Sequence, residues 1–141
     1  MKTFPVVLAI FICACLALPA KASPGFAVDQ NEDGRADQWY EVTEGRVAKM
    51  SLDRNYDERI DYGVEFDREE RKLHEELDFD FDGRMDDFYF FERGELVRQE
   101  IDSNFDDRID IWVFLQGPYI ERYEMDRDFD GVVDVKKDFG R

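Results

Sequence analysis

The chain lacks most of the residues that carry enzymatic chemistry. Its 141 residues include two cysteines, Cys13 and Cys15, and one histidine, His74. Past residue 22 there is no cysteine at all, and the small hydroxyl residues are only Ser23, Thr43, Ser51 and Ser103. Nucleophile–base pairs and zinc sets built on His or Cys have nothing to draw on. Disulfides, the usual staple of a small secreted domain, are excluded in the same stretch. Gly-rich phosphate loops are absent. Positive charge is scarce as well: 19 Lys and Arg stand against 35 Asp and Glu, for a net charge of −16. That balance excludes a nucleic-acid binder, which needs basic surface, and docking on an anionic membrane. What is abundant is acid (38% of residues are charged) together with enough apolar and aromatic residues, 43% and 15%, to leave the disordered class.

Long apolar runs are missing except at the start. Lys2 is followed by a nearly continuous apolar stretch from Phe4 to Leu18, and Ala20-Lys21-Ala22 has the small-x-small form that precedes a cleavage point. The run is short for a membrane span. Residues 1–22 are therefore expected to be a cleaved signal peptide, and residues 23–141 a single secreted or periplasmic repeat domain. A lipoprotein anchor through Cys15 fits less well. Lys2 and Lys21 leave with the leader, so 35 acids face 17 bases, net −18.

Residues 23–141 repeat. Units start at Asp29, Asp53, Asp78, Asp102 and Asp126, in steps of 24, 25, 24 and 24 residues, the signature of a repeat architecture. Counting nine positions from each marker, positions 1, 5 and 9 are Asp every time and position 3 is Asn or Asp. Loop 1 offers Asp29, Asn31, Asp33 and Asp37; loop 2 offers Asp53, Asn55, Asp57 and Asp61. Loop 3 has Asp78, Asp80, Asp82 and Asp86; loop 4 has Asp102, Asn104, Asp106 and Asp110. Loop 5 has Asp126, Asp128, Asp130 and Asp134. Position 7, whose carbonyl is a further candidate ligand, is Arg35, Arg59, Arg84, Arg108 and Val132. Position 8 is apolar in each loop.

This spacing suits a hard cation. Ca²⁺ takes six to eight oxygens at about 2.3–2.6 Å, and a curled chain can bring side-chain oxygens at 1, 3 and 5, the carbonyl at 7 and residue 9 around one ion. The loops hold 20 of the 35 acids and six bases. Carboxylates held close repel unless a cation lies between them. Solvated acidic turns with Asx-type hydrogen bonds are the competing reading. The nine residues resemble the calcium loop of the EF-hand superfamily, and more closely the short Asp-x-Asp-x-Asp-Gly-x-x-Asp form found between strands in FG-GAP-type and related bacterial calcium repeats. That resemblance implies Ca²⁺ as the ion. The loops depart from it by lacking a Glu at position 12, where Tyr40, Val64, Tyr89, Val113 and Lys137 stand. Loops 2 and 4 also replace the position-6 glycine with Glu58 and Asp107, which ranks loops 1, 3 and 5 first, loop 4 next and loop 2 last.

Between loops the chain reads as hairpins: aromatic and β-branched runs broken at Glu44-Gly45, Arg93-Gly94 and Gly117-Pro118. Tyr40, Val64, Tyr89 and Val113, with Val42, Phe66, Phe91 and Leu115 two residues on, predict one buried face. Lys49, His74, Arg98 and Arg122, with Ser51, Glu76, Glu100 and Glu124, predict a polar outward face. The stretch around Arg68-Glu69-Glu70 is expected to be a turn rather than a helix. The aromatics at position 4 (Tyr56, Phe81, Phe105, Phe129) are expected to pack loop against loop. The fold expected is all-β: an antiparallel meander of nine or ten strands, as an elongated twisted sheet or an open barrel, with every acidic loop at one end.

The expected function is that of a non-enzymatic, calcium-stabilised structural or interaction module. Carboxylate pairs could also suit a glycosidase, but Asn recurring between them fits a cation better. The second expectation is a calcium-dependent adhesin or carbohydrate binder, with a protein or glycan at the cell surface as partner and Trp39 and Trp112 on the contact face.

Overall fold

The structure, a computed structural model, describes residues 23–140. The expected signal peptide lies outside the described residues. Ten strands follow one another: β1 (Ser23–Val28), β2 (Gln38–Thr43), β3 (Arg46–Leu52), β4 (Tyr62–Phe66), β5 (Lys72–Leu77), β6 (Asp87–Glu92), β7 (Glu95–Ile101), β8 (Ile111–Gln116), β9 (Tyr119–Met125) and β10 (Val135–Asp138). They form one antiparallel sheet in sequence order, β1 to β10, with no crossover. The sheet is open and does not close into a barrel. The meander puts the tight hairpins at one end and all five acidic loops at the other.

The turns follow from local chemistry. Glu44-Gly45 and Arg93-Gly94 both have positive φ at both residues (53° and 80°; 54° and 84°), the two-residue turn that matches strand twist. Gly117 has φ 57° ahead of Pro118. The charged stretch after β4 is a turn, as expected: the Asp67 amide donates to the Arg71 carbonyl at 2.9 Å, and Asp67 Oδ1 accepts the amides of Glu69 and Arg71 at 2.8 and 3.0 Å.

One device was invisible in the alternating pattern. Each hairpin is bulged at the same place: Glu41 pairs with Lys49 but Val42 with Val47, and the slip recurs at Glu65/Phe66, Phe90/Phe91 and Phe114/Leu115. The extra residues, Ala48, Leu73, Val97 and Glu121, share no side-chain type, so no composition signal marks them.

The registers define two faces. On one, Tyr40, Met50, Val64, Glu75, Tyr89, Gln99, Val113 and Tyr123 form a continuous row across the strands. Among the described residues Val64 is the one apolar side chain that is fully buried, at 1% exposure. A single-layer sheet has no second layer to cover this face, so its side chains shelter only one another. Its polar members are paired: Tyr62 donates to Glu75 at 2.7 Å, and Tyr89 and Gln99 donate to Asp87 at 2.8 and 2.9 Å. Burial and the neighbouring acid push both tyrosine hydroxyls to a higher pKa.

The opposite face is less polar than its lysine and arginine row suggests. Register places Phe90 and Phe114 beside Arg98 and Arg122. Each guanidinium lies over a ring, Arg98 at 4.1 Å from Phe90 and Arg122 at 4.0 Å from Phe114. The His74 ring is 4.9 Å from that of Phe90 and 6.2 Å from that of Phe88. Trp39 and Trp112 lie in the adjoining row, paired with Ser51 and with Glu100 and Glu124. This face is a chequerboard of rings, cations and acids.

Candidate metal loops

The buried centre of this protein is a spine of aspartates. Asp37, Asp53, Asp61, Asp78, Asp86, Asp102, Asp110 and Asp126 are all 0–4% exposed. These are positions 1 and 9 of successive loops; the two ends of the series, Asp29 and Asp134, are less covered. Backbone bonds knit the spine. Each position-9 amide donates to the residue just before its own loop, as Asp61 does to Leu52 at 2.9 Å. Each following position-1 amide donates to the previous position-9 carbonyl: Asp53 to Asp37, Asp78 to Asp61, Asp102 to Asp86 and Asp126 to Asp110, at 2.8–2.9 Å.

Within each loop the carboxylates gather amides. Position 9 Oδ2 accepts the position-2 amide in all five loops, from Gln30, Arg54, Phe79, Ser103 and Arg127, at 2.6–3.0 Å. Position 1 Oδ2 accepts the position-6 amide in all five, from Gly34, Glu58, Gly83, Asp107 and Gly131, at 2.7–2.8 Å. Position 5 Oδ1 accepts the position-7 amide of Arg35, Arg59, Arg84, Arg108 or Val132. In loops 1 to 4 the position-3 side-chain oxygen of Asn31, Asn55, Asp80 or Asn104 accepts the position-5 amide. These bonds offset the cost of burying the carboxylates and wrap the chain into a tight coil.

The coil uses two left-handed residues per loop. Position 6 has φ between 69° and 92°, whether Gly34, Gly83 and Gly131 or Glu58 and Asp107. Position 4 is left-handed too, at 61–63° for Glu32, Tyr56, Phe81, Phe105 and Phe129. Nothing in the sequence announced position 4, because Tyr and Phe are poor residues for that region. The conformation turns these rings outward. Tyr56, Phe81, Phe105 and Phe129 are 40–49% exposed, and among the described residues no ring contact joins them. The expected packing of these aromatics on a neighbouring loop is met at one of the four positions, and not ring on ring. Phe81 lies 5.1 Å beneath the Arg54 guanidinium of loop 2.

Carboxylates converge in three loops. Asp53, Asp57 and Asp61 of loop 2, Asp78, Asp80 and Asp86 of loop 3, and Asp126, Asp128 and Asp134 of loop 5 each bring three oxygens within 4.8 Å of one another, a set able to hold a metal ion. In loop 3 burial, then the neighbouring Asp80 and Asp78, hold the Asp86 carboxyl above its ordinary pKa. In loop 5 the charges of Asp130 and Asp134 do the same to Asp128. The Asp128 shift is the mark of crowded like charges, and that of Asp86 is mainly the cost of burial.

Convergence of the carboxylates does not follow the position-6 glycines. Loop 2, placed last, converges; loop 1, placed among the first, does not. The side chains explain why. In loop 1 the Asn31 amide donates to Asp33 Oδ2 at 3.2 Å and so engages the position-5 carboxylate. In loop 3 Arg84 takes Asp82 Oδ2 at 2.6 Å, leaving Asp80 to join the cluster. In loop 2 Arg59 instead reaches the Asp82 carbonyl at 2.6 Å, which leaves Asp57 free to face Asp53 and Asp61. The chain matches no protein-family model and no curated protein.

Proposed function

We propose that this is a secreted or periplasmic calcium-binding repeat protein in which Ca²⁺ held by the acidic loops stabilises the β-hairpin sheet as a structural or interaction module. The supporting observation is the inverted burial: among the described residues there are eight near-fully buried loop aspartates and a single fully buried apolar side chain. A layer without an apolar core or disulfides needs another source of stability. Oxygen-only ligand sets of Asp and Asn suit a hard cation of calcium's size better than a soft transition metal. Lacking a bidentate Glu at position 12, the sites fit the weak extracellular class, with Kd of order 10⁻⁴ M. At about 1 mM Ca²⁺ one such site adds about 1.4 kcal/mol of stability. The test is thermal melting of the protein in chelator and in millimolar Ca²⁺, with Mg²⁺ as the comparison ion. A Ca²⁺-specific rise in Tm supports the reading, and identical melts overturn it.

A second reading rests on the ring-and-cation face. Trp39, Phe88 and Trp112 share one row, and Phe90 and Phe114 the next. Half-exposed rings on a rigid sheet suit stacking against sugars. Binding to a glycan array only when Ca²⁺ is present supports an adhesin or carbohydrate binder; no binding in either condition leaves the structural role alone.

A further inference from the structure

We infer that the five loops are not equivalent sites: loops 2 and 5 are the primary cation sites, and loop 4 is closed by its own Ser103. This rests on the calcium reading above and assigns it to particular loops. Two buried carboxylate oxygens have no hydrogen-bond partner, Asp61 Oδ1 and Asp126 Oδ1. Both belong to residues at most 4% exposed, and each residue stands in one of the converging clusters, Asp53/Asp57/Asp61 or Asp126/Asp128/Asp134. A buried acceptor with nothing to accept is costly, and an ion bound in the cluster would remove that cost.

The neighbouring loops show how the same oxygen is otherwise satisfied. At position 1, Oδ1 accepts the position-4 amide of Tyr56, Phe81 or Phe105 at 2.7 Å in loops 2, 3 and 4, a bond that Asp126 lacks. At position 9, Oδ1 of Asp110 accepts the Ser103 hydroxyl at 2.8 Å. Loop 2 has Arg54 where loop 4 has Ser103, and Arg54 points away to the Asp78 carbonyl at 2.5 Å. Loop 4 also spends its position-5 carboxylate on its own Arg108, at 3.1 Å from Asp106 Oδ2. Loop 4 thus presents neither of the oxygens that loop 2 leaves open.

Calcium titration of the chelator-stripped full chain by isothermal calorimetry tests this, with Asp61→Asn, Asp126→Asn and Asp110→Asn as variants. Two sites at least tenfold tighter than any others are expected. Asp61→Asn and Asp126→Asn each remove one of them, while Asp110→Asn leaves both. Loss of a tight site in Asp110→Asn, or five sites of equal affinity, overturns the assignment. If Asp61→Asn does not fold, Asp126→Asn against Asp110→Asn decides alone. An unaltered chain that binds no Ca²⁺ refutes the calcium reading itself, which is a different outcome.

Discussion

Loops 2 and 4 are near twins. Both have Asn at position 3, Arg at 7 and Ile at 8, and both lack the glycine at 6. Their main-chain paths agree, with φ 63° and 72° at Tyr56 and Glu58 against 61° and 69° at Phe105 and Asp107. Yet three carboxylates converge in loop 2 and not in loop 4. The difference comes from two side chains that no ligand pattern counts. Position 2 is Arg54 in one and Ser103 in the other. The position-7 arginine reaches forward to the Asp82 carbonyl in loop 2 and back to Asp106 in loop 4. The lesson is that a repeated loop fixes where oxygens can go, while its neighbours decide which remain open for an ion.

The largest effects should come from position 9. Asp61→Ala strands the amides of Arg54 and Asn55, and Asp110→Ala strands the amide and hydroxyl of Ser103. Each is expected to cost about 2–4 kcal/mol in chelator, read by urea unfolding. Repeating the melts in Ca²⁺ separates the twins: only Asp61→Ala should also lose part of the calcium increment. An equal loss of that increment in both variants would erase the contrast.

Exchanging position 2 comes next. Ser103→Ala frees Asp110 Oδ1 and should add calcium-dependent stability of up to about 1.4 kcal/mol, the value of one weak site. Arg54→Ser gives loop 2 the hydroxyl of loop 4 and should remove a similar amount. Thermal melts with and without Ca²⁺ read both changes.

Position 6 should show a smaller difference. Glu58→Gly relieves a left-handed residue and is expected to stabilise the chelated protein by about 1 kcal/mol, partly offset by losing the exposed Arg35–Glu58 pair. Asp107→Gly should gain less, because Asp enters that region more easily. Equal gains would mean that the loops absorb the strain in different ways.

The smallest effect lies at the far end of the sheet and serves as a control. The Arg71 backbone amide and then its guanidinium hold the Asp67 carboxyl below its ordinary pKa of 3.8. Its contribution is therefore present above pH 3.8 and lost as the pH falls through the lowered folded value. Asp67→Asn should flatten that part of the acid limb in a pH series of melts, and leave calcium binding untouched.

Much of this was legible in the residues. The 24-residue period, the glycine turns and the apolar rows led to an all-β meander with its acidic loops at one end. Period 2 could not reveal the bulges at Ala48, Leu73, Val97 and Glu121, because a bulge changes register without demanding a particular side chain. The left-handed position 4 was hidden because the amides of Tyr56, Phe81 and Phe105 donate to the Asp53, Asp78 and Asp102 carboxylates three residues back, and these side-chain bonds override the intrinsic preference of Tyr and Phe. The ranking of loops by position-6 glycine did not foresee convergence in loop 2, since Glu58 adopts the turn anyway. Arg59, which frees Asp57, acts on the next loop, and no single nine-residue window contains that bond.

The most direct measurement is a Ca²⁺ titration of the chelator-stripped protein, followed by circular dichroism and calorimetry together. Saturable binding is predicted, with β-sheet signal and Tm rising in step with the heat. A stripped chain already folded, with no heat and no change in Tm at millimolar Ca²⁺, would contradict the account and leave the aspartate spine as a purely hydrogen-bonded structure.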